Sequence, residues 1–262
     1  MIKGDRILSV GTPAGGGISI IANEPVTSGG GGGGDTPPIT TDLLVYYNPD
    51  VEAYSDAGST LAVDGDNVRQ FNDQSGNDNT LSQSTASLQP VYDTTTFSGS
   101  NASLNSLNDS LLFTSNLNLN TTTSFTFYMV YKKSSNTSIR NWFVNSTNNL
   151  RLDQRTTLIG IRADAGEFRY VTYTDDANIK IMAITVDRSN GEFKLYINGS
   201  YIGEGASAAY YQANPPSYTI QKLFANGTAA MNVGNVLFYT AAHDATDVGT
   251  VSDWLNDKYS IY

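Results

Sequence analysis

The sequence predicts an all-β sandwich closed by one C-terminal helix. Beyond residue 41, short runs rich in Val, Ile, Thr, Tyr and Phe recur between turn residues, the rhythm of a sandwich. Two Asn-Gly steps, Asn190-Gly191 and Asn198-Gly199, join three such runs into tight hairpins, because both residues tolerate positive φ. Only at the end do apolar residues fall three to four apart: Val248, Val251, Leu255 and Tyr259. Asp244 or Asp247 can cap that helix, and Lys258 lies near the negative end of its dipole.

Taken in order, the chain starts with an extended Gly-rich arm, residues 1–27. It holds two β-like runs, Arg6-Ile7-Leu8-Ser9-Val10 and Ile18-Ser19-Ile20-Ile21-Ala22, split by a Gly/Pro turn. Two strands alone are marginal in water. The arm is therefore either a disordered tail or an anchor that orders by pairing with another protein's sheet. On the second reading Arg6, Ile7, Leu8, Val10, Ile18, Ile20 and Ile21 are the anchoring residues. Residues 28–40 form a Gly/Pro linker, with six successive glycines, Gly29 to Gly34, and then Pro37-Pro38. A Gly-rich coil of ~10 residues spans roughly 15–20 Å, and the proline pair stiffens its exit. Eleven of the 24 glycines lie in residues 1–40, so the composition shift there marks the start of the folded domain, residues 41–262. In that domain Phe125, Phe127, Met129 and Tyr131 alternate with Thr126, Tyr128 and Val130. Phe168, Tyr170 and Thr172 alternate likewise with Arg169, Val171 and Tyr173. Residues 179–205 hold three strands around the Asn-Gly turns, and 231–242 one more before the helix.

Composition excludes several functions. Without cysteine there is no disulfide and no thiolate-held metal. A formal charge of −10 repels nucleic acid. No run of 18 apolar residues is present to cross a membrane as a helix. Lys3 and Arg6 are followed by Gly11, Pro13 and Gly15 to Gly17, a poor signal-peptide core.

Three stretches carry a family resemblance: VRQFNDQSGNDNTLSQSTASLQPVY (68–92), ITVDRSNGEFKLYINGSYIGEG (184–205) and the closing YTAAHDA…WLNDKY. In this order and spacing they resemble the concanavalin A-like lectin/glucanase superfamily, in particular laminin-G-like jelly rolls. Phe71 stands where such domains have an aromatic, usually Trp. The resemblance covers residues 42–262 and implies a two-sheet antiparallel jelly roll. It fixes no activity, because this fold serves lectins, glycosidases, lyases and structural modules.

The hydrolytic branch of that superfamily carries carboxylates alternating on one strand as Glu-x-Asp-x-(x)-Glu, which sets an acid and a nucleophile on one face. Glu24, Glu52, Glu167, Glu192 and Glu204 form no such pattern, and a strand sends neighbours such as Asp175 and Asp176 to opposite faces. His243, the single histidine, precedes a capping Asp. A glycan-cleaving enzyme is therefore the least favoured reading. Asp64, Asp66, Asp73, Asn77 and Asp78 crowd residues 64–79 as candidate Ca²⁺ ligands, an ion the resemblance also suggests. Ser75 stands where an EF-hand needs Glu, and the same side chains suit turn capping. No other cofactor is expected. Sugar recognition stacks an aromatic ring on the glycan and pairs hydroxyls with Asp and Asn. The glycan-binding candidates are Tyr210, Tyr211, Trp142 and Tyr173. Of these Tyr210-Tyr211, flanked by Pro215-Pro216, reads as an exposed platform.

Arm, tether and acidic lectin-like head together point to a non-enzymatic display protein on a bacteriophage virion. Head fibre, capsid decoration and tail appendage are the expected positions. The arm would hold capsid or other virion proteins after assembly in the host cytoplasm, and the head would bind host or environmental glycans. The alternative is a bacterial cell-surface carbohydrate-binding module, which needs an export route. Neither repeats nor coiled-coil heptads are visible, so any homo-oligomer would come from the arm or from particle symmetry.

Overall fold

The computed structural model describes residues 36–262 except 98–100, 107–109, 120–123, 134–139, 145–149, 155–156, 164–166, 206–217 and 224–229. The anchoring residues Arg6 to Ile21, the glycine run and Tyr210-Tyr211 lie outside the described residues.

Two antiparallel sheets form the expected sandwich. The first runs β15 (Ser200–Glu204), β14 (Glu192–Ile197), β13 (Lys180–Asp187), β8 (Phe125–Lys133), β17 (Met231–Tyr239), β6 (Ser103–Ser106) and β5 (Val91–Asp93). In the same sheet β1 (Leu43–Tyr47) pairs with the far half of β17. The second runs β12 (Glu167–Thr172), β11 (Leu158–Ala163), β10 (Leu150–Gln154), β9 (Arg140–Val144), β16 (Tyr218–Leu223), β7 (Leu111–Leu119), β4 (Leu81–Ser82), β3 (Gln70–Phe71) and β2 (Ala53–Tyr54). Besides the expected C-terminal helix, α2 (Ala245–Tyr259), the described residues hold two short turns the periodicity did not announce. These are α1 (Pro49–Glu52) and a 3-10 turn at Ala86–Leu88.

The alternation in β8 has two buried faces rather than one. Phe125, Phe127, Met129 and Tyr131 point between the sheets, while Tyr128 and Val130 point to α2. A central strand covered on both sides reads as nearly continuous apolar sequence. Val248, Val251, Leu255 and Tyr259 of α2 are fully buried against that outer face. Burying each contributes about 1.5–3 kcal/mol. Asp244 caps the helix, accepting from the backbone N–H of Thr246 and Asp247 at 2.8 and 3.0 Å. A bulge in β17 makes room for Tyr259: a Cβ at Gly234 would meet its hydroxyl at 2.6 Å. In β12 the inward set is Arg169 and Val171, leaving Tyr170 half-exposed. Arg169 is tolerated inside because its Nη1 donates to Gly191 O at 2.9 Å.

Candidate functional site: a polar cleft at one rim

Five separate segments meet at one end of the sandwich. They are the end of β8, the loop 173–179, the start of β13, the β14–β15 turn and the tail after α2. Between them opens a cleft of about 350 Å³ lined by Lys132, Asn178, Ile179, Lys180, Asn198, Ser260 and Ile261.

Each wall has a local cause. Asp175 turns inward and is buried. Its Oδ2 accepts from Tyr131 Oη at 2.8 Å and Gln154 Nε2 at 2.9 Å, and its Oδ1 accepts from Ala177 N at 3.1 Å. Burial, then the Asp175 charge, pushes the Tyr131 phenol well above its ordinary pKa, so it stays a donor. That anchorage holds Ala177 in the left-handed region at φ 60°, a conformation that costs a non-glycine residue about 1–2 kcal/mol. Asp176 turns outward instead. It accepts from Asn178 N at 3.1 Å and pairs with Lys180 Nζ at 2.9 Å. Desolvation raises its carboxyl, but hydrogen bonds from Lys180 and Asn178 and the Lys180 charge outweigh that and hold it at about 2.

Asn198 at φ 51° and Gly199 at φ 72° form the expected tight turn. Asn198 Oδ1 accepts from Ile181 N at 2.9 Å. The tail is folded back by Asn256, whose Oδ1 accepts from Ile261 N and Tyr262 N, each at 2.8 Å. Among the described residues, Lys132 Nζ and Asn198 Nδ2 have no hydrogen-bonding partner, and both belong to cleft-lining residues. Two ammoniums, two carboxamides, a hydroxyl and two isoleucines make a surface suited to a polyhydroxyl ligand with one apolar face.

The sequence candidates fall differently. Trp142 is not a surface contact: it is fully buried, 5.6 Å from Tyr131, in the core beneath the rim. A strand residue facing the other sheet spends its ring on packing. Tyr173 lies at the rim just past β12, partly buried against the core, with its N donating to Thr157 O at 2.9 Å. Burial, and then the nearby Asp175 and Asp176 charges, raise its phenol.

The Asp/Asn-rich stretch splits into two turns. Asp64 Oδ1 accepts from Thr94 N at 2.9 Å, and Asp66 Oδ2 from Val63 N at 3.0 Å. Asp73 accepts from Tyr46 N, Ser75 N and Ser75 Oγ at 2.8–2.9 Å and from Asn79 N at 3.1 Å. Asn77 Nδ2 donates to Leu43 O and Leu44 O at 2.9 and 3.1 Å, while Asp78 stands at φ 56° in the turn. Loop 72–79 thus satisfies the outer edge of β1 with side chains in place of another strand. Among the described residues, no group of three or more His, Cys, Asp or Glu is placed to hold a metal ion.

No family model and no curated protein sequence matches the chain. Solved structures do. The likeness is one of fold. The binding domain of Paraclostridial Mosquitocidal Protein 1 superposes with a TM-score of 0.58 at 15% identity, over 80% of this chain and 52% of that one. The receptor binding domain of botulinum neurotoxin C/D mosaic serotype gives 0.56 at 12% identity, over 82% and 52%. The binding domain of botulinum neurotoxin DC, solved in complex with SialylT, gives 0.55 at 11% identity, over 82% and 52%. The chain spans about half the length of these structures.

Sequence reasoning missed Lys132, Asn178, Lys180, Asn198 and Ser260. No motif joins them, since they come from five segments. The one local signal was Asn198 in its Asn-Gly turn.

Proposed function

We propose that residues 41–262 are a glycan-binding head that takes its ligand in the rim cleft. The arm and Gly/Pro tether display it on a bacteriophage virion surface. The observation that carries the binding reading is the open polar cleft with Lys132 Nζ and Asn198 Nδ2 unpartnered among the described residues. The fold adds support. Domains that share it are described as binding or receptor-binding, and entry of botulinum neurotoxin type C is described as dependent upon interaction with two ganglioside molecules. A cleft of this size gives weak monovalent affinity, and display of many copies on flexible tethers raises it through effective concentration. The display reading rests on the Gly29–Gly34 tether and on the two β-like runs before it.

Screening the full chain on a glycan array, beside its Lys132→Ala variant, tests the binding reading. A defined glycan bound by the parent and lost in the variant is the expected outcome, and equal binding by both would reject the cleft. Deleting residues 1–27 tests the display reading. The truncated head is expected to stay soluble and to be missing from particles, and normal incorporation would reject the arm as anchor.

A further inference from the structure

Under the last turn of α2 a lysine meets two carboxamides and a carboxylate. Lys258 Nζ lies 2.7 Å from Asp50 Oδ2, 2.7 Å from Asn48 Oδ1 and 3.3 Å from Asn235 Oδ1. Only 9% of the Lys258 side chain is exposed, and both asparagines are fully buried.

The two amides differ. Asn235 uses both ends: Nδ2 donates to Tyr46 Oη at 3.1 Å, and Oδ1 accepts from Tyr259 Oη at 2.7 Å. Asn48 Oδ1 accepts from Lys258 and, at 3.1 Å, from Asp50 N, but its Nδ2 is buried with no partner among the described residues. A buried donor left unmatched in this way calls for an explanation.

We propose that Lys258 and Asn48 join in an intramolecular isopeptide bond. Asp50 takes a proton from the Lys258 ammonium, and the neutral amine attacks Asn48 Cγ. That carbon lies one C=O bond, about 1.2 Å, behind the oxygen that the amine already meets. The Nζ–Cγ bond forms and the Cγ–Nδ2 bond breaks. Nδ2 takes the proton that Asp50 returns and leaves as ammonia. Nζ gives up its second proton to the freed Asp50 carboxylate as the amide forms, and the ammonia carries that proton off as ammonium. No oxidant or cofactor is consumed. Asp50 N, already donating to Oδ1, stabilises the negative oxygen of the tetrahedral intermediate. Fixing amine and carbonyl together removes the entropy cost of bringing them into contact. The departing nitrogen is the group left without a hydrogen bond among the described residues. The product ties the end of β1 to the end of α2, 210 residues apart, and locks the helix to its sheet.

The test is the intact mass of the folded full-length chain, measured after denaturation. The expected mass is lower than the sequence mass by one ammonia, and a digest gives a branched peptide containing both Asn48 and Lys258. Asn-Gly steps such as Asn190-Gly191 also lose ammonia on closing to a succinimide, so the branched peptide decides. It should vanish in Lys258→Met and form more slowly in Asp50→Asn. If either variant fails to fold, the parent still answers. Parent protein that contains no branched peptide after incubation, folded, at neutral and mildly alkaline pH overturns the proposal.

Discussion

Loop 72–79 and loop 173–179 are both short and rich in Asp and Asn, yet they use these residues in opposite ways. In 72–79, Asp73 and Asn77 turn onto the edge of β1 and the local backbone, so the loop closes a sheet. In 173–179, Asp175 alone turns inward, and that single anchor leaves Asn178 and Ile179 to line an open cleft. The difference teaches that oxygen-rich sequence is not a site until the backbone's demands have been met. What remains unpaired afterwards is the better guide to function.

Substitutions can break this comparison at either loop or in the core beneath. The largest expected effect is Trp142→Ala, which empties a fully buried position. It should lower stability by about 3–5 kcal/mol in urea unfolding, and a neutral result would return Trp142 to the surface. Asp73→Ala comes next. It orphans four donors and should lower stability by about 3 kcal/mol, to the same extent in calcium and in chelator. A loss seen only in calcium would make 72–79 a metal site after all. Lys132→Ala should leave stability within about 0.5 kcal/mol of the parent while weakening glycan binding about tenfold, or ~1.4 kcal/mol.

The smallest effect is a pH slope. Burial lowers the His243 pKa against the opposing charges of Asp247, Asp244 and Asp42, while its Nδ1 lies 2.7 Å from Tyr128 Oη. The folded state therefore resists a proton that the unfolded chain accepts below about pH 6.5. Stability from this group is full above that pH and is lost as pH falls below it, by at most about 1.4 kcal/mol per unit. His243→Gln should flatten the slope, and an unchanged slope would assign it elsewhere.

Much of the fold was legible because it follows local chemistry. The period of two in β8, the positive-φ turn at Asn198-Gly199 and the face formed by Val248, Val251, Leu255 and Tyr259 all stand where the pattern puts them. The inward face of β12 was not, because Arg169 hides there by bonding to Gly191 across the sandwich. The cleft was not legible either. Lys132 and Ser260 are far apart in sequence, and only the stacking of β8 and α2 brings them together. The sequence sends Asp175 and Asp176 to opposite faces, but only Tyr131 and Gln154, distant in sequence, determine that Asp175 is the one inside.

The glycan-binding proposal places the ligand at the rim cleft and not at the Asp/Asn-rich loop. Backbone chemical-shift mapping of the full chain, titrated with the glycan that the array selects, tests it most directly. The expected shifts cluster at Lys132, Asn178, Lys180, Asn198, Ser260 and Ile261 with residues 72–79 silent. Shifts centred on 72–79 or on Tyr210-Tyr211, with the rim silent, would contradict it.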